Sequence, residues 1–157
     1  MSEENTLHTE LGNLINETIK LRMSVSTLDA DAEFPEIHTE LIKCQGALTG
    51  IEMLLSKAIR AKAKLDRQVF VFKMNHQEQW DRAISAPSKR VAFSEYATGK
   101  EKAAEANLAT LNSARELRKV EDTQAFALEA VEVIRLHYYG LDKVRQDLRK
   151  RLDILSA

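Results

Sequence analysis

Glycine and proline are scarce in this sequence, at 5 and 2 of 157 residues. With so little punctuation, long regular elements are expected. A single cysteine, Cys44, excludes an intrachain disulfide and fits a reducing compartment. It falls on an apolar stripe, so a packing role is expected for it. Long hydrophobic runs are missing too: Val69-Phe-Val-Phe72 is far too short to span a bilayer. The opening Met1-Ser-Glu-Glu-Asn-Thr6 is acidic and polar with no hydrophobic region behind it, so no targeting signal is read there. The expectation is a soluble cytoplasmic protein with no membrane partner.

Catalytic signatures are lacking as well. There is no phosphate-binding loop, no nucleophile elbow and no His-Glu-x-x-His zinc pattern. His8, His38, His76 and His137 are scattered, and His76-Gln77-Glu78 puts its end residues on different helix faces. Glu129 and Glu132 are the kind of paired carboxylates that any solvated helix shows. No enzyme, no metal and no cofactor is expected.

What the chain does hold is charge and aliphatic pattern. Charged residues make up 30% of it and aromatics 6%, a balance suited to long helices and coiled coils. Leu7, Leu11, Leu14, Thr18, Leu21, Val25 and Leu28 alternate steps of four and three, predicting a helix over about 5–28. Pro35 then suits the first residue of a second helix. A longer series follows: Ile37, Leu41, Cys44, Leu48, Ile51, Leu55, Ala58, Lys62, Leu65, Val69 and Phe72. It predicts one helix over about 35–84, in which Gly46 and Gly50 permit close backbone approach. Ser85-Ala-Pro-Ser88 breaks it, and a short helix over 89–98 runs to Thr98-Gly99. A third seam, from Leu117 and Val120 through Val131, Ile134, Tyr138 and Leu141 to Leu152 and Leu155, predicts a last helix over about 100–156. Leu108 and Leu111 are out of phase with it, placing a register shift near Arg115. Gly140, in mid-seam, is either a hinge or room for a bulky neighbour.

The fold expected is therefore all-α, one domain over 1–157. The two long helices form an antiparallel hairpin of coiled-coil type, partly covered by the shorter N-terminal helix. Seam left uncovered by that first helix points to a homo-oligomer.

Net charge is −1, yet the charges are segregated. Segment 57–73 carries Lys57, Arg60, Lys62, Lys64, Arg67 and Lys73 against Asp66 alone, while 143–151 carries five bases against Asp147. On a helix, Lys57, Arg60, Lys64 and Arg67 share one face. Aligned cations with aromatics nearby, here Phe70 and Phe72, are what sequence-independent single-strand binding requires. The same pattern also suits a merely solvated face with both phenylalanines in the core. Lys62 stands apart because the heptad reserves its place for an apolar side chain. Either its stem packs and its ammonium reaches the rim, or it points into a groove between subunits. Tyr138 and Tyr139 are further stacking groups, although Tyr138 follows the seam as a core residue would.

The string Lys62-Ala-Lys-Leu-Asp66, followed by a polar break and a long C-terminal helix, resembles the UvsY-type phage recombination mediators. Ala114-Arg-Glu-Leu-Arg-Lys-Val-Glu-Asp-Thr123 and Val144-Arg-Gln-Asp-Leu-Arg-Lys-Arg-Leu152 are similar to C-terminal helices of related phage proteins. The heptad-rich first helix and the Val69–Phe72 run depart from the family pattern. The resemblance implies a small, helical, oligomeric, non-enzymatic protein that binds single-stranded DNA and loads a RecA-like recombinase, in host cytoplasm. It puts DNA contact at Lys62 and Lys64, extended by Arg60 and Lys57, and the basic face adds Arg67. The alternatives are a coiled-coil structural or adaptor protein with no nucleic-acid role, and an inhibitor that binds a host protein.

Overall fold

The structure is a computed structural model that describes residues 3–86 and 99–157. These form four α-helices and no strand: α1 (Glu3–Met23), α2 (Phe34–Ser85), α3 (Gly99–Ala109) and α4 (Leu111–Leu155). The all-α expectation holds. The expected helix over 89–98 lies outside the described residues.

Where one domain was expected, the contacts group the chain into two compact units, residues 1–62 with 125–157, and residues 63–124. The boundaries fall inside α2 and α4, so each helix contributes to both units.

The first unit packs α1 against the leading part of α2 and the trailing part of α4. Leu11, Ile37, Ile51, Ile134 and Leu141 are its largest fully buried side chains. Each belongs to one of the three seams, so the heptad steps convert directly into a core. Ala47 and Leu54 are buried beside the α2 seam because two neighbouring helices, not one, cover this helix. Across the α2/α4 contact the Cys44 thiol donates to the Leu141 carbonyl at 3.5 Å. Burial pushes that thiol's pKa up despite Arg145 and Arg22 nearby, which fits packing rather than reactivity. Gly50 lets α1 approach α2: a Cβ there would meet Leu21 Cδ1 at 2.8 Å. Gly46 has open space at the same test, so only one glycine of the pair is used this way.

Helix α1 ends at Met23, five residues before the predicted end at Leu28. Val25 is nevertheless buried, and Leu28 half-buried, from positions outside the helix. The cause is Glu40 on α2, whose carboxylate accepts the Ser26 backbone N–H that a longer helix would direct to Arg22. Ser24 turns its hydroxyl onto the Leu21 carbonyl at 2.7 Å, a side-chain bond that competes with helix continuation. Helix α2 starts one residue before Pro35, with the Glu33 N–H donating to the Glu36 carboxylate at 3.0 Å as in a capping box.

In the second unit, residues 63–85 of α2 pair antiparallel with α3 and the start of α4. Leu65, Val69, Ala106 and Val120 form its apolar centre. Polar contacts run down the pair: Gln124 Nε2 to Asp66 at 2.7 Å, Lys73 to Glu121 at 3.0 Å, and His76 Nδ1 to Ser113 Oγ at 2.9 Å. Trp80 Nε1 donates to Asn107 at 3.3 Å. Where one helix over about 100–156 was expected, there are two, α3 and α4, separated at Thr110. There the Thr110 hydroxyl and its own N–H both bond the Ala106 carbonyl, at 2.8 and 3.0 Å. The Ala114 N–H in turn donates to the Thr110 carbonyl at 3.0 Å, so helical bonding continues across the junction of α3 and α4. Leu108 and Leu111, out of phase by sequence, are exposed.

Candidate nucleic-acid interface

The division between units falls inside the basic stretch. Lys57, Arg60 and Lys62 belong to the first unit, Lys64 and Arg67 to the second.

In the first unit Lys57 and Arg60 are exposed, one turn apart. Neither forms an ion pair or hydrogen bond among the described residues. Lys57 borders two shallow grooves against α1, one presenting Glu10 and the other both Glu17 and Lys20. A phosphate laid there meets both signs of charge. Lys62 is half-buried, as expected of a long side chain standing in the seam between Ala58 and Leu65. It is engaged in an interaction of its own within the protein.

In the second unit Lys64 and Arg67 are exposed and likewise form no ion pair or hydrogen bond among the described residues. Asp66, the lone acid of the stretch, is turned toward Gln124 and is half-buried there. The two phenylalanines separate. Phe72 follows the seam and is half-buried, whereas Phe70 is 66% exposed, with Val71 and Met74 also exposed beside it. Lys64, Arg67 and Phe70 stand at successive steps of three, so two cations and an open aromatic ring are neighbours on one helix surface.

The second basic segment is partly spent on the fold. Arg145 pairs with Asp142 at 2.6 Å, and Arg151 reaches the carbonyls of Leu28 and Asp29. Tyr138 is half-buried, and its hydroxyl donates to Glu52 at 3.0 Å. That bond to a carboxylate raises its pKa, with burial adding to the effect. Tyr139 is exposed and meets Tyr138 edge-on, with centroids 5.8 Å apart.

Among the described residues no three His, Cys, Asp or Glu side chains gather where a metal ion would sit. His8 stacks on Phe126 at 4.0 Å and His38 lies parallel to Phe34 at 6.2 Å. Among the described residues no helix is long and apolar enough to cross a membrane.

The arrangement suits electrostatic and stacking contact with an extended polyanion. All five cations and Phe70 are legible from the sequence; the basic stretch shows each of them. The acids of α1 beside Lys57 are not, because a heptad count fixes phase within a helix but not which partner residue faces it. A comparison with family models, curated proteins and solved structures finds no match.

Proposed function

We propose that this protein is a non-enzymatic single-stranded-DNA-binding recombination mediator that helps load a RecA-like recombinase. The observation that carries its DNA-binding part is the surface of the second unit, where Lys64 and Arg67 extend into solvent beside an exposed Phe70. Cations without internal partners release counterions when they meet phosphates, and a ring left in solvent gives a base a face to stack on. Lys57 and Arg60 extend the contact, with charges of both signs from α1, Glu10, Glu17 and Lys20, bordering Lys57. Lys62 contributes from the rim of the seam. The recombinase and the phage setting rest on the resemblance of Lys62–Asp66 to UvsY-type mediators alone.

The test is a titration with oligo(dT) at several salt concentrations. Affinity is expected to fall steeply with salt, by about 0.7 in the logarithmic slope for each phosphate neutralised. Absence of binding at low salt overturns the proposal.

A second reading has an observation of its own. Exposed Phe70, Val71 and Met74 also suit a protein-binding face, as a structural or adaptor protein would need. Under that reading the protein does not respond to oligo(dT) at any salt concentration.

A further inference from the structure

The solvent face of α2 in the second unit carries a pattern that the buried seam conceals. Lys64, Arg67, Val71, Met74, Glu78 and Asp81 follow one another at steps of three, four, three, four and three. That is a second heptad stripe, and all six side chains are exposed. It lies on the opposite side of the helix from Leu65, Val69 and Phe72, which face the unit's own core.

The order along the stripe is basic, apolar, acidic. It is also self-complementary about a single point between Phe72 and Lys73. Turning an antiparallel copy about that point sets Lys64 opposite Asp81, Arg67 opposite Glu78, and Val71 opposite Met74. Every pairing joins an a-type to a d-type position, the layer geometry of an antiparallel coiled coil. Charge and apolar character thus match in the same register, without a slip.

We propose that this stripe is a two-fold self-docking face, on which a second copy of the chain binds antiparallel. The partner is identified by charge complementarity: the face that fits a basic–apolar–acidic stripe read backwards is the stripe itself. Leftover seam is not the driver. Of the third seam's residues from Leu117 to Leu155, Leu155 alone is exposed. Phe70, 66% exposed, flanks Val71 and covers the central layer. The acids are available for exchange: the Glu78–Arg82 pair is long, 3.7 Å, with 60% and 81% of the two side chains exposed. Asp81 accepts from Gln77 at 2.9 Å, also at the surface. With only Val71 and Met74 as apolar layers the contact belongs with small, transient interfaces, and it weakens with salt.

Sedimentation equilibrium of the full chain tests this. At low salt the wild type shows a concentration-dependent monomer–dimer equilibrium. Lys64→Glu with Arg67→Glu makes both ends acidic, and Glu78→Lys with Asp81→Lys makes both ends basic. Each double variant alone dissociates at least about tenfold more readily, because four weak attractions become repulsions. An equimolar mixture of the two double variants regains a dimer, as does the chain carrying all four changes. Circular dichroism confirms that helix content is kept. Met74→Glu, at an exposed position, is a separate probe that removes the apolar layer and is expected to abolish the dimer. A wild type that stays monomeric up to about 1 mM overturns the proposal. So does a dimer indifferent to either double variant, or a mixture that fails to re-pair. Lys64, Arg67 and Phe70 also carry the proposed DNA contact, so dimer and DNA compete for this face; with DNA absent, these measurements read self-association alone and can fail while the oligo(dT) titration succeeds.

Discussion

The two units are built from the same two helices but end up with different surfaces. In the first, α1 lies against α2 and α4, and large side chains from all three helices are fully buried: Leu11, Ile37, Ile51, Ile134 and Leu141. In the second, α2 has one neighbouring layer among the described residues, so its outer face keeps Phe70, Val71 and Met74 in solvent. The same contrast governs the cations. Lys57 borders grooves that hold Glu10, Glu17 and Lys20, whereas Lys64 and Arg67 stand beside an aromatic ring with the one acid of their segment, Asp66, turned toward Gln124. A third helix gives the first unit its core and brings acids as well as a base beside Lys57. Among the described residues no such helix covers the outer face of α2 in the second unit, which stays open for contact.

Substitutions sharpen this contrast by size of effect on stability. Ile51→Ala, at a fully buried position, is expected to cost about 2–5 kcal/mol in chemical denaturation, since it leaves a cavity in the first unit's core. A loss below about 1 kcal/mol would break the claim that the first unit carries the core.

Glu40→Gln comes next, at about 1.5 kcal/mol. Glu40 is only 4% exposed, and burial alone would raise its pKa. The Ser26 N–H and the Lys43 ammonium at 3.0 Å outweigh burial and hold the carboxyl below the usual glutamate value. A depressed native pKa stabilises the fold fully above the unfolded value, near 4.3, and that stability is lost as pH falls through the native value. The wild type should therefore lose stability below about pH 4.3 more steeply than the Gln variant, as read from thermal melts across pH.

Gly140→Ala has the opposite sign. Nothing in the chain lies within 4 Å of a Cβ placed there, so alanine fits without a clash. Alanine should add about 1 kcal/mol by helix propensity, seen as a higher melting temperature. Phe70→Ala closes the series with a change within about 0.5 kcal/mol, because the ring is mostly in solvent. Its effect belongs to oligo(dT) affinity instead, at about 1–3 kcal/mol for a stacked base.

Much of this was legible from residue spacing. All eleven members of the α2 seam from Ile37 to Phe72 are buried or half-buried, including Lys62, and Phe72 and Phe70 part according to their phase. What spacing did not show depends on residues remote in sequence. The end of α1 is set by Glu40 capturing Ser26, fourteen residues away. The outer stripe of α2 escaped because four of its six positions are charged, so hydrophobic periodicity passes over it.

The salt dependence of oligo(dT) binding, measured for paired alanine variants, tests the central claim most directly. Lys64→Ala with Arg67→Ala should make the logarithmic slope shallower by about 1.4, two single-strand phosphate contacts, and Lys57→Ala with Arg60→Ala should change it less. Equal slopes for the wild type and the Lys64/Arg67 variant would contradict the account, as would a larger effect from the Lys57/Arg60 pair.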